Sequence, residues 1–219
     1  MREPHLVEAI RDDLGRHCPS LHLYIEKEKA EARGTFPVRG PEGEVADEYL
    51  VTIEVPSRYS EDLPVVREVG GRIPWTADRH VNANGEACVL LPDARWESFP
   101  VGAPFLEFLA GPLHSFFLGQ SIFESTGKWP FGEWSHGRRG ILEYYEMLLE
   151  TESTEVIAGF LWMVSRREVK GHWDCPCGRG KRLRNCCLEK VLDLRKKIPA
   201  RIASRSFRVL ERSSAAPAR

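Results

Sequence analysis

The chain has 219 residues, of which 42% are hydrophobic and 29% charged. That composition suits one or two globular domains with a sizeable core. It excludes wholesale disorder, a collagen-like repeat and a disulfide scaffold. The formal charge of -1 conceals a split: residues 1–164 hold 15 Lys+Arg against 27 Asp+Glu, and residues 165–219 hold 16 against 5. Such a split predicts two modules, with a basic tail that meets something acidic: nucleic acid, another protein, or the chain's own N-terminal part. No apolar stretch of signal-peptide kind opens the sequence, and the apolar run 157–164 is too short to cross a bilayer. A soluble, cytoplasmic protein with no membrane partner is expected.

In chain order, Leu6, Val7, Ile10 and Leu14 repeat at helical spacing. After Pro19 the period changes. Leu21, Leu23 and Ile25 alternate with polar residues, and Phe36 and Val38 follow across a turn region. Gly40-Pro41-Glu42-Gly43 is a turn signal. Tyr49, Val51, Ile53 and Val55 alternate as a strand, and Val65 to Val69 reads as a fourth, stopped by Gly70-Gly71. The stretch 74–100 has no period, and a loop of that length inside a compact domain is usually functional. Helical patterns resume over 105–122, 137–149 and 154–166, then 188–197, with a weaker amphipathic segment over 202–210.

The irregular stretch holds His80-Val81-Asn82-Ala83-Asn84-Gly85-Glu86-Ala87-Cys88, then Trp96 and Pro100. A cysteine beside a tight Asn-Gly turn can be held at a surface, where a thiol is a strong nucleophile even at a small thiolate fraction. A side-chain amide such as that of Asn82 can donate to a developing oxyanion. A lone cysteine is also often a small buried hydrophobe, and asparagines in loops often only shape the turn.

These residues resemble the active-site loop of the ubiquitin-conjugating enzymes, the UBC fold. That family's loop reads His-Pro-Asn, Asn-Gly, catalytic Cys-Leu, then Trp before Pro. Here stand His80-Val81-Asn82, Asn84-Gly85, Cys88-Val89, Trp96 and Pro100, preceded by Pro56-Ser57-Arg58-Tyr59 and Leu63-Pro64-Val65. Val81 replaces the family's proline, and the Asn82–Cys88 interval is two residues shorter than usual. The segment Trp129 to Gly137 is similar to a bacterial branch. Members of that branch share operons with an activating enzyme, a ubiquitin-like protein and a deconjugating metalloprotease, in a setting associated with antiphage defence. The resemblance implies that Cys88 carries a ubiquitin-like modifier as a thioester and passes it to an amine of a target protein. ATP is used only by the activating enzyme. Asn82 is the implied oxyanion donor, with Asn84 a competitor; His80 belongs to the loop motif. Asp93, Glu97 and His136 are the groups that could help deprotonate the amine. For His136 a helix-terminal or core role competes, and core packing is expected of Trp129, Phe131 and Trp134.

The second constellation is Cys175-Pro176-Cys177-Gly178-Arg179-Gly180-Lys181 followed by Cys186-Cys187. Four thiolates close a tetrahedral zinc site and leave no open position, so a structural zinc is expected. So short a segment needs the metal to fold. It resembles the SEC-C motif, Cys-Pro-Cys-Gly-x-Gly-Lys with a later Cys-Cys, usually a small interaction module. The basic flank carries few aromatics, Trp173 and Phe207, so docking to protein is expected ahead of nucleic acid.

The expected fold class is therefore α+β: a UBC-like domain over 1–165 (helix, four-stranded antiparallel meander, active-site loop, helices), a zinc module over 166–190 and a basic tail over 191–219. The competing function is a non-catalytic UBC-fold scaffold whose zinc module docks protein or RNA.

Overall fold

A computed structural model describes residues 4–27, 29–130, 135 and 137–214. Its helices are α1 (Pro4–His17), α2 (Arg95–Ser98), α3 (Phe105–Phe108), α4 (His114–Thr126), α5 (Arg138–Leu149), α6 (Thr154–Ser165), α7 (Leu188–Lys197) and α8 (Ala200–Ser214). Its strands are β1 (Leu21–Glu26), β2 (Lys29–Arg39), β3 (Val45–Val55) and β4 (Val65–Glu68), paired antiparallel in the order β1-β2-β3-β4. The chain is thus α+β, with the expected N-terminal helix, meander and C-terminal helices.

Buried contacts divide it into two compact units, Met1–Leu90 with Glu97–Glu133, and Leu91–Trp96 with Trp134–Arg219. The ranges 1–165, 166–190 and 191–219 follow motif and charge, and the packed units divide the chain elsewhere.

In the first unit the sheet's inner face is built by alternation. Ala30, Ala32, Phe36 and Val38 of β2 face inward beside Tyr49, Val51, Ile53 and Val55 of β3. Phe117 of α4 stacks on Tyr49 at 4.8 Å, and Ile10 and Leu14 of α1 join the same core. Strand β2 begins seven residues before Phe36, where the sequence signal starts. Its first half carries alanine on the inward face and Lys29, Glu31 and Arg33 between, and alanine is a weak strand marker.

The helical pattern over 105–122 is a continuous helical run to Thr126, interrupted by a π-turn over Leu109–Leu113 that holds Pro112. Proline lacks the N–H of a regular turn and crowds the carbonyl four residues back, and a widened turn relieves both.

The second unit packs α5, α6, α7 and α8 around Tyr144, Tyr145, Ile157, Leu161, Val191, Ala203 and Leu210. The basic tail is partly spent inside this unit. Arg195 of α7 donates to the carbonyls of Val164, Arg166 and Arg167 at the end of α6, and Lys190 donates to the Leu149 carbonyl at the end of α5. Cations there satisfy orphan carbonyls and complement the helix dipole. Among the described residues no helix is long and apolar enough to cross a membrane.

Candidate functional site

The thiol loop is a short ribbon hung from β4. Val81 and Ala87 pair antiparallel, flanked by Asn82 N–H to Glu86 O at 2.9 Å and Cys88 N–H to His80 O at 2.7 Å. Ala87 N–H donates to Val66 O of β4 at 2.8 Å, and Arg67 pairs with Glu86 at 2.7 Å. Val81 is buried, so ribbon alternation puts Asn82, Glu86 and Cys88 on the opposite face. Cys88 itself is half-buried.

The turn closes through Gly85 N–H to Asn82 O at 2.8 Å, with Gly85 at φ +79°. A Cβ there would lie 2.8 Å from the Trp75 ring, so the indole packs closely against the glycine. Trp75 is 59% exposed. Asn84 Oδ1 accepts from Glu86 N–H at 3.2 Å, which spends that oxygen on the turn and leaves its NH2 as the remaining donor. Asn82 is exposed at the ribbon's end.

His80 serves the ribbon through its backbone. It sits in the left-handed region at φ 51°, receives Cys88's N–H on its carbonyl, and stacks its ring on Trp129 at 4.4 Å. Next to it, Arg79 Nε donates to Gln120 Oε1 at 2.8 Å, and Gln120 Nε2 donates back to Arg79 O at 2.6 Å. Gln120 is fully buried on α4. Glu68 accepts three backbone N–H groups, from Gly70, Arg72 and Ile73, fixing the exit from β4. Arg72 holds Asp47 with two 2.7 Å bonds, and that guanidinium draws the Asp47 carboxyl down to about 2.

Of the residues that could deprotonate an amine, Asp93 is 3% exposed and accepts from Tyr145 Oη at 2.8 Å and Ser206 Oγ at 2.7 Å. It ties the Leu91–Trp96 segment into the second unit rather than presenting a base to solvent. Trp96 is held there as well, donating to Tyr144 Oη at 2.7 Å beneath Lys197 Nζ at 4.7 Å. Glu97 is exposed. His136, Phe131 and Trp134 lie outside the described residues.

The four clustered cysteines converge. The sulfurs of Cys175, Cys177, Cys186 and Cys187 all lie within 4.8 Å of one another, with Cys177–Cys186 at 3.4 Å and Cys186–Cys187 at 3.7 Å. A tetrahedral zinc with bonds of 2.3 Å sets its sulfurs about 3.8 Å apart, so the donor set fits the ion. Burial and then the adjacent sulfurs raise the Cys187 thiol well above its ordinary value. A cation removes that obstacle to ionisation.

The chain shapes the cluster in two pieces. Cys175 N–H bonds Lys181 O at 2.9 Å and Leu183 N–H bonds Trp173 O at 2.8 Å, with Gly178 and Gly180 at positive φ in the turn between. Cys186 and Cys187 lead directly into α7, where Val191 N–H reaches Cys187 O at 3.0 Å. Pro176 lies against Gly159 of α6, where a Cβ would come within 2.7 Å, and Trp173 meets Trp162 at 5.1 Å. Gly159, Trp75 and Gln120 have no signature in sequence. The nearest signals are a glycine inside an apolar helix and a glutamine on an apolar face.

No family model matches this chain, and neither a curated protein nor a solved structure does. What the geometry defines is an α+β protein with a loop-borne, half-buried cysteine and a four-cysteine cluster built to hold a metal ion.

Proposed function

We infer that the protein is a UBC-like conjugating enzyme for a ubiquitin-like modifier. The observation that carries this reading is Cys88: half-buried, on the face of the ribbon shared with Asn82, its backbone fixed by the His80 carbonyl. Cys88 Sγ attacks the thioester carbonyl of the charged activating enzyme, and that enzyme's thiolate leaves. A target amine then attacks the Cys88 thioester, the amide bond forms, and the thiol is released with the amine's proton passed to a base or to water. The developing oxyanion takes a hydrogen bond from the Asn82 amide, with Asn84 NH2 the other donor on the same turn. Glu97, which is exposed, and His136 are the two groups proposed to receive the proton, since Asp93 is committed elsewhere. ATP is consumed by the activating enzyme alone. A structural zinc in the Cys175–Cys177–Cys186–Cys187 cluster completes the second unit, and a deconjugating metalloprotease and an antiphage setting follow from the same reading.

The test mixes the zinc-loaded protein with ATP, a candidate activating enzyme and a candidate ubiquitin-like modifier. A reductant-sensitive adduct that is lost in Cys88→Ala supports the reading. A folded protein that forms no adduct with a partner shown to be active refutes it and leaves the scaffold.

A further inference from the structure

Gln120 is fully buried on α4, beside the buried positions Phe116, Phe117 and Gly119. Burying an amide carries a desolvation cost that an apolar side chain of similar size avoids, so its hydrogen bonds must offset it. Both of its bonds reach across 41 residues to Arg79. Arg79 Nε donates to Gln120 Oε1 at 2.8 Å, and Gln120 Nε2 donates to the Arg79 carbonyl at 2.6 Å.

The second bond fixes backbone. The Arg79 carbonyl and the His80 N–H belong to one rigid peptide plane. Gln120 holds the oxygen of that plane, and its N–H donates to Ala77 O at 2.8 Å. The plane leads into His80 at φ 51° and ψ 38°, a left-handed conformation that a residue with a Cβ keeps when its surroundings impose it. The His80 ring is held as well: it stacks on Trp129 at 4.4 Å, and Trp129 closes on Gly119 of α4, where a Cβ would come within 3.2 Å. The Arg79 guanidinium also donates to Glu124 at 3.1 Å and lies over the Phe123 ring at 4.8 Å. The α4 stretch from Gly119 to Glu124 thus grips Arg79-His80 through backbone and side chains. The next link is the His80 carbonyl, which accepts the Cys88 N–H at 2.7 Å.

We propose that Gln120 is a positioning residue for Cys88: its amide pins the 79–80 peptide plane and, through the His80 carbonyl, sets where the thiol stands on the ribbon. The inference rests on the reading of Cys88 as the nucleophile. A small displacement of a nucleophile costs about tenfold or more in rate, even when the change lies away from the reacting atoms. A Gln120 that only stabilised the fold would slow the reaction in step with lost stability.

The experiment compares Gln120→Glu and Gln120→Met with Ile10→Val, a core change on α1, in full-length, zinc-loaded protein. Glutamate beside the Arg79 guanidinium stays ionised, keeps an acceptor for Nε and has no hydrogen for the Arg79 carbonyl. Methionine keeps neither bond. Melting temperatures are recorded for all three variants. Where Gln120→Met fails to fold, Gln120→Glu, which keeps the guanidinium pair, carries the test. Single-turnover charging of Cys88 is followed against the concentration of a candidate activating enzyme carrying a candidate modifier. Both Gln120 variants should charge at least about tenfold more slowly at saturation, with the half-saturating concentration changed by less than about twofold. Ile10→Val should charge like wild type. A second arm needs no partner: alkylation of Cys88 by iodoacetamide, mapped by peptide mass. It should speed up at least about threefold in both Gln120 variants as the half-buried thiol is released, and hold its rate in Ile10→Val. Charging that merely tracks melting temperature across the three variants, or alkylation at the wild-type rate, overturns the proposal. Wild type that fails to charge with a working activating enzyme overturns the reading of Cys88 instead, and the alkylation arm still decides whether Gln120 holds the thiol.

Discussion

Asp93 and Ser206 stand 113 residues apart and meet at 2.7 Å, Ser206 Oγ donating to the Asp93 carboxylate in a buried setting. Tyr145 Oη donates to the same oxygen. Three parts of the chain, the segment after the thiol loop, α5 and α8, are thereby pinned at one point. Removing one partner from such a contact leaves a buried polar group unsatisfied, at a cost of about 1–3 kcal/mol.

The contact has a pH signature. Burial pushes the Asp93 carboxyl above its ordinary value, outweighing the hydrogen bonds from Ser206 and Tyr145 and the nearby Arg205, which lower it. The folded state then holds the proton more tightly than the unfolded state. That contribution is complete below the unfolded carboxylate pKa and is lost as pH rises through the raised value. Asp93→Asn keeps an acceptor for both hydroxyls and cannot ionise. Its melting temperature relative to wild type should therefore climb between pH 4 and pH 8, and a difference that falls over that range contradicts the assignment.

Gly85 is constrained twice, by φ +79° and by the Trp75 ring. Gly85→Ala is expected to cost about 1–2 kcal/mol, and to change the alkylation rate of Cys88 by iodoacetamide by disturbing the turn. Trp75→Ala in the same background removes the ring contact but not the backbone strain. Partial recovery of stability in the double variant is the expected outcome, measured by thermal melts.

The four-cysteine cluster should hold one zinc per chain, read by metal analysis of protein purified without added metal. Cys175→Ser or Cys187→Ser should lose the ion and much of the helicity of α7, which Cys187 immediately precedes. A strong chelator should lower the melting temperature of wild type and have little further effect on the variants. Full cooperative melting of a metal-free wild type at the same temperature would show that the cluster is no folding element.

Much of this was legible in sequence, for reasons that differ by element. Strand β3 announces itself because Tyr49, Val51, Ile53 and Val55 are large and strictly alternate. The metal cluster is legible because donor type and spacing are local. The first half of β2 is hidden by alanines that fill the inward face cheaply, and the π-turn by a proline inside a good helical period. Asp93 sits in a loop rich in chemistry, so its sequence suggests a base. Only the approach of Tyr145 and Ser206 reveals a tie. The tail's charge was legible, but which of its cations dock on helix-end carbonyls depends on how each helix packs.

Intact-mass spectrometry of the charging reaction tests the central claim most directly. The protein, ATP, the activating enzyme and the modifier are mixed, and the product is digested without reductant. The account predicts a mass increase equal to the modifier less one water, mapped to Cys88, reversed by thiol reductant, and reductant-stable in Cys88→Lys. An adduct on Cys18 or on the metal-cluster cysteines, or no adduct from metal-loaded protein with a working activating enzyme, would contradict it.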